Sequence, residues 1–409
     1  MLIKKIGART TFDSRNEKTI EVIVWSDKGK FITSSPAGKS KGSYEVINYK
    51  ESLEHDIKFI NNFDKEKINK IIKKNSGNLN FEIFFNLLKE AEALLINKIG
   101  GNSLFALESS LLKAAAYDNN KELWDYMTNL NKKNIEFPRP VGNVIGGGIH
   151  SKGRNGKKPD FQEFLFIPNC KTFKENFKLN RIAYKLVWKK LGYWIKKRND
   201  EGAWETDLSN EQVLELLNEV KKIIKTRFGL RIEIGIDCAS SFFFKNKFYV
   251  YKNPPKKLDS TGQRDYLEYI IKNYDLFYIE DPFNEKDFES FAKLKQKTKN
   301  CLIVGDDLTV TNPKRLKKAI KKNSINAIII KPNQIGSLLK LKKVIEIAKK
   351  HNIKTIISHR SGETKDNTIS DFAIGFQCDF IKTGIYGKFR ESKLKRLLEI
   401  EEKINRPNN

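Results

Sequence analysis

The sequence predicts an α/β protein in two parts: a small α+β domain over 1–133 and a (β/α) TIM-type barrel over 134–409. Three observations point to this. In the first third of the chain, β-branched runs come first and helical periodicities follow. Farther on, strand-like and helix-like segments alternate at intervals of about 20 to 45 residues. Several of those later strand-like runs also end in a charged or polar residue, at the rim where barrels gather functional groups.

The elements follow in order. LIKKIGARTTFD, TIEVIVWSD and GKFITSS are short and β-branched, and SDKGK reads as the hairpin turn between the last two. SYEVINYKES, after Gly42, has a plausibly helical composition. FEIFFNLLKEAEALLINKI and SLFALESSLLKAAAYDNN carry apolar residues at three- and four-residue spacing. FPRPVGN reads as a rigid proline-bearing connection and a natural domain boundary. Beyond it, RIEIGID ends at Asp237, LFYIED brings Glu280 and Asp281, and CLIVGDD brings Asp306 and Asp307. INAIIIK ends at Lys331, KTIISHRS delivers His359, Arg360 and Ser361, and DFIKTG delivers Lys382. RDYLEYIIKN, EKDFESFAKLKQ, PKRLKKAIKKN, LLKLKKVIEIAKKH and SKLKRLLEIEEKI are the helices between and after them. A doubly wound sheet is the runner-up, but it would gather ligands at one switch point rather than around six strand ends.

At 409 residues and 39% hydrophobic composition, the chain has ample material for a core. The net charge of +27 invites a nucleic-acid partner. Arg, however, supplies only 14 of the 77 basic residues, and these are spread along the chain. That favours a solvated basic surface over a dedicated groove, so nucleic acid is possible but not preferred. The four cysteines form no CxxC, which points to reduced thiols rather than zinc or disulfides. No segment approaches 18 consecutive apolar residues and MLIKKIGART has no apolar leader, so a cytoplasmic protein without a membrane span is expected.

AGKSKG in the loop 36–42 contains the GKS that ends a nucleotide-binding P-loop. The glycine required five positions before the Gly38–Lys39 pair is Thr33, and the motif fails on spacing.

The strand-end residues support a definite chemistry. Asp237, Glu280 and Asp306 would converge at the barrel mouth, and an all-oxygen set of this kind selects Mg²⁺ or Mn²⁺. A capping role for one or two of them is the plain alternative. Lys331 and Lys382 sit at the same level, where desolvation and neighbouring positive charge would lower a lysine pKa and make it a base. His359, Arg360 and Ser361 offer donors for a phosphate or carboxylate. Glu163 in PDFQEF and Glu201 in NDEGAWE are single acids. Together these groups suggest removal of a proton α to a carboxylate with expulsion of a leaving group, a reaction that a lysine base and Mg²⁺ can divide between them.

These residues resemble the enolase family over nearly the whole chain. FDSR near the start, NVIGGGIH, QEF, NDEG, IDCAS, IEDPF, VGDDLTVTNPKR, KPNQIGS, SHRSGET and IKTG stand in the family's order. The resemblance implies a small α+β domain followed by an eight-stranded barrel with an atypical start, acting on a small phosphorylated acid. It implies two Mg²⁺, the first on Asp237, Glu280 and Asp306 and the second on Ser40. Lys331 would be the base, Glu201 helped by Glu163 the acid, and Lys382 the holder of the substrate carboxylate. Arg360 and Ser361 would bind phosphate, His359 would lie near the leaving hydroxyl, and His150 would close over the phosphate. His55 and His351 read as surface residues. The loop 36–42 would be a lid, and a homodimer or higher homo-oligomer is implied.

Departures from the family pattern are local. Asn16–Glu17–Lys18 replace GNP, Ala239–Ser240–Ser241–Phe242–Phe243 replace ASEFY with loss of its carboxylate, and Pro332 follows the proposed base. The pattern around TGIYGKFRESK is altered, and Lys39 and Lys41 add charge beside Ser40. A related dehydratase or epimerase, or a weakened paralogue with a nucleic-acid role, are the competing functions; every residue of the chemical step is retained.

Overall fold

The structure is a computed structural model describing residues 1–38, 42–74, 79–128, 130–153, 156–192 and 197–406. Ser40, Lys39 and Lys41 lie outside the described residues.

The chain opens on an antiparallel meander of strands Ile3–Phe12, Lys18–Ser26 and Lys30–Ser34. Ile20, Val22 and Val24 alternate into its buried face, where helix Gly101–Asp118 packs. That helix is buried over most of its length, with the polar side chains Asn102, Ser103, Glu108, Ser109 and Ser110 buried along with the apolar ones. Helices Leu53–Asn61 and Phe81–Leu95 begin at Ser52 and Asn80, whose side-chain oxygens accept backbone N–H bonds.

SYEVINYKES is not helical but runs through turns and bends until Ser52. Its backbone serves other partners. The carbonyls of Ile47 and Asn48 accept from Gly101 and Asn102 N–H at 2.8 and 3.0 Å, and Val46 N–H bonds to Gln334 O. These bonds satisfy donors at the start of the long helix that its own turns leave unpaired. FPRPVGN is likewise more than a connection, since Arg139–Gly146 is the first barrel strand and Pro140 pairs with Ile381.

Eight strands close the barrel: Arg139–Gly146, Glu163–Pro168, Ile232–Asp237, Leu276–Glu280, Leu302–Gly305, Ala327–Ile330, Lys354–Ser358 and Phe380–Lys382. The last pairs with the first, which excludes the open doubly wound sheet. Glu163–Pro168 runs antiparallel to both neighbours and the other pairings between barrel strands are parallel. The strands are buried on both faces, which is why they read as apolar runs. Val141, Leu165, Ile167, Tyr278, Val304, Ala327, Ile329, Ile356 and Phe380 fill the barrel, while Ile328, Ile330, Ile357 and Ile381 face the helices. Asp287 and Asn312 cap the helices that follow Glu280 and Asp306, so neither of those acids serves as a cap.

Candidate active site

Side-chain alternation along the strands builds the site. A residue two beyond an interior one points to the same side. Tyr278 thus leads to Glu280, Val304 to Asp306, Ile329 to Lys331, Phe380 to Lys382 and Val141 to Asn143. In the antiparallel strand the order reverses: Leu165 leads back to Glu163, whose register partner is Asp237. A strand's first residue therefore reaches the same rim as its neighbours' last residues. Glu163, Glu201, Asp237, Asp306, Lys331 and Lys382 line one narrow cleft, joined by His150, His359, Arg360 and Ser361.

Two lysines organise the acids. Lys382 Nζ lies 2.7 Å from Glu280 Oε2, 2.8 Å from Glu163 Oε2 and 3.1 Å from Asp237 Oδ2. Lys331 is ion-paired with Asp306, and the Tyr278 hydroxyl donates to Glu280 from inside the barrel. Burial pushes Glu280 well above the carboxylate range, with Asp237 adding to it and Lys382 opposing. For Asp306 burial also pushes upward, but the Lys331 ammonium outweighs it and the net shift is downward. Lys331 itself moves opposite to the sequence expectation. Burial favours the neutral amine, yet the Asp306 carboxylate prevails and raises its pKa, against Arg360 and Lys382.

The expected metal trio is only partly gathered. Among the described residues, the groups with three ligand atoms within 4.8 Å of one another are Glu163, Glu201 and His359, and Asp281, Asp306 and Asp307. Asp237 and Glu280 are instead drawn onto Lys382, and Asp306 onto Lys331. Asp281 serves as a brace, its carboxylate accepting Asp306 N–H at 3.1 Å and Asp307 N–H at 2.7 Å. The donor set nevertheless fits a hard cation. Glu280 Oε1 and Asp306 Oδ1 are buried and have no hydrogen-bond partner among the described residues, and such oxygens suit Mg²⁺.

On the opposite wall Glu201 sits in a turn, and Asn143 Nδ2 donates to its Oε2 at 3.1 Å. His150 Nδ1 lies 3.6 Å from Glu201 Oε1 and 3.4 Å from Asp200 Oδ1. Burial raises Glu163 to about 7, only partly offset by Lys382. Glu201 is also pressed upward by burial, but His150 and the hydrogen bond from Glu163 bring its net shift below the usual value. The two glutamates are pushed in opposite directions and titrate as one pair.

Arg360 is clamped by residues from distant parts of the chain. Its Nη2 meets Glu45 at 3.0 Å, and its Nη1 donates to Asn333 Oδ1 at 3.3 Å. Gly38 packs directly on it; a Cβ there would lie 2.0 Å from Nη2, so no larger residue fits without moving the arginine. Ser361 Oγ accepts from Arg15 Nη1 at 2.9 Å. Ala37 and Gly362 exchange backbone hydrogen bonds of 2.8 Å, which ties the start of the 36–42 loop to the same rim. Glu45, Asn143, Asp200 and Arg390 were not singled out from sequence. Strand alternation from Val141 would have found Asn143, whereas Glu45 carries no local signal.

The family description "Enolase, C-terminal TIM barrel domain" matches residues 134–408, and "Enolase, N-terminal domain" matches 3–127. The enolase of Archaeoglobus fulgidus is 36% identical, with 100% of this chain and 99% of that one aligned. That of Picrophilus torridus is 36% identical over 98% and 99%, and that of Sulfurisphaera tokodaii 37% over 98% and 95%.

Proposed function

The chain belongs to the enolase family, and from this we propose how its residues divide the reaction. It is a phosphopyruvate hydratase, a lyase that dehydrates 2-phosphoglycerate to phosphoenolpyruvate in glycolysis and runs in reverse in gluconeogenesis. The observation that carries the assignment of roles is the cleft itself, with the Lys331–Asp306 pair and the Glu163–Glu201 pair lining a single cavity.

Lys331 Nζ takes the proton from C2. Its ammonium, as paired with Asp306, is the form that returns the proton in the hydration direction. Arg360 and Lys382 favour its release during dehydration. Glu201 delivers a proton to the departing C3 hydroxyl, supplied through Glu163. Lys382 binds the substrate carboxylate, Arg360 and Ser361 bind the phosphate, His359 lies beside the leaving hydroxyl, and His150 closes over the site. Asp237, Glu280 and Asp306 would hold one Mg²⁺, and Ser40 would contribute to a second. Bound there, Mg²⁺ supplies charge neutralisation for the substrate carboxylate as negative charge builds on it.

We further assign 1–133 to the small domain, with 36–42 as lid, and 134–409 to the barrel. The working form is a cytoplasmic homodimer or higher homo-oligomer; among the described residues no helix is long and apolar enough to cross a membrane. The +27 charge is the one feature favouring a nucleic-acid role, and the retained catalytic set favours an active enzyme. The test is formation of the enolpyruvate chromophore from 2-phosphoglycerate with Mg²⁺. Lys331→Ala should reduce it by about 10²- to 10⁴-fold, and a Lys331→Ala protein with normal turnover overturns the assignment.

A further inference from the structure

Arg390 has none of the roles above, yet it is 2% exposed and bonded to four residues of the site. It lies in helix Lys388–Asn405. Nη1 reaches His359 Nδ1 at 2.7 Å and donates to Arg360 O at 2.6 Å. Nη2 donates to Ser361 O at 2.5 Å and to Asp200 O at 3.4 Å. A guanidinium can only donate and does not lose its proton in proteins. His359 Nδ1 must then be the acceptor, which leaves the ring proton on Nε2. A second proton on Nδ1 would set two N–H groups against each other and add a charge beside a fixed cation.

The other groups acting on the ring agree. Lys331, Lys382 and Lys393 all oppose a charged imidazole. Glu163 and Glu201 are the acids near it, each with an oxygen within 4.8 Å of a ring nitrogen. Burial first, and then Arg390, hold His359 well below the ordinary histidine range.

We propose that Arg390 is a positioning residue that holds His359 as the neutral Nε2–H tautomer. Nε2–H is then a permanent donor toward the Glu163–Glu201 wall and the leaving hydroxyl. The same guanidinium fixes the carbonyls of Arg360, Ser361 and Asp200, so the phosphate side and the acid side share one anchor. What Nε2–H meets rests on the function proposed above, whereas the tautomer does not.

The experiment reads the tautomer without substrate. With only four histidines in the chain, two-bond ¹H–¹⁵N correlation spectra of ¹⁵N-histidine protein resolve each ring, and His359→Gln assigns the signal. In the parent protein His359 should show Nε2–H and no titration between about pH 5 and 9. In Arg390→Ala and Arg390→Lys the ring should become a tautomer mixture and titrate. Turnover in Arg390→Ala should fall by about 10- to 100-fold, the scale of a lost hydrogen bond from a charged donor, with a new acidic limb in the pH profile. An Nδ1–H signal or ordinary titration in the parent overturns the proposal, and so does an unchanged tautomer in either variant. Should Arg390→Ala fail to fold, the parent spectrum and Arg390→Lys decide. A parent protein that shows the Nε2–H tautomer but does not turn over 2-phosphoglycerate would instead count against the function proposed for the site.

Discussion

Replacing Glu108 with glutamine should stabilise the protein, and more so as pH rises. Glu108 lies in helix Gly101–Asp118, is 1% exposed, and accepts Leu338 N–H at 2.7 Å through Oε2. Beside it Glu92 accepts from Ser337. Burial raises the Glu108 pKa well above the carboxylate range, and the neighbouring Glu92 carboxylate raises it further. The native state therefore holds a proton that the unfolded chain releases above about pH 4.3. More protons on the native state means stability is full below the unfolded pKa and is lost as pH rises toward the folded one. The slope from this group is at most about 1.4 kcal/mol per pH unit, or up to about 3 kcal/mol over two units. Glutamine keeps the acceptor for Leu338 N–H and gains a donor for Glu92, but it cannot ionise. Urea unfolding of both proteins at pH 5 and pH 7 measures the difference, expected as a gap that widens with pH and corresponds to a few degrees in Tm. A gap that is constant across pH, or a glutamine variant less stable at both, would refute the burial-driven shift.

Three further outcomes are expected. Asn143→Ala removes the donor to Glu201 and should lower kcat by about tenfold with little change in KM, as read by steady-state kinetics; unchanged kcat excludes that orienting role. Chelation should abolish turnover, and Mg²⁺ at 100 times its Kd should add about 2.7 kcal/mol of stability. That gain should disappear in Asp306→Asn, and a retained thermal shift would remove Asp306 from the ligand set. Lys39→Ala combined with Lys41→Thr should lower the Mg²⁺ concentration needed for half-maximal activity, because two positive charges beside Ser40 repel the second ion; an unchanged titration disproves that repulsion.

The barrel was legible because its strands are buried on both faces, so Ala327–Ile330 and Ile232–Asp237 stand out as short, mainly apolar runs that lead to Lys331 and Asp237. The same pattern hid two things. Pro140 in FPRPVGN suggested a linker, although a proline near a strand's start removes only one donor from the ladder. SYEVINYKES has helix-compatible composition, yet its carbonyls are recruited by the N-terminus of another helix some fifty residues later. The direction of the Lys331 shift was also out of reach, because it depends on the Asp306 ion pair across adjacent strands rather than on the lysine's own strand.

What completes the site is mostly non-local. Arg15 reaches Ser361, Glu45 reaches Arg360, and Asn333 donates to both Pro36 O and Asn102 Oδ1. These pairs join the small domain to the segments that carry the proposed phosphate donors and the base. Lys331 directly precedes helix Pro332–Ile335, whose Asn333 is held this way, and Ser337 and Leu338 just beyond are held by Glu92 and Glu108. A stretch of eight residues from Lys331 to Leu338 is therefore held at two points by the small domain, at Asn333 and at Ser337–Leu338. Loosening the Glu92–Glu108 clamp should be felt at Lys331, although neither acid touches the cleft. The small domain thus braces the active site from outside the cleft, and its helices help hold the proposed base in register with the acids it faces.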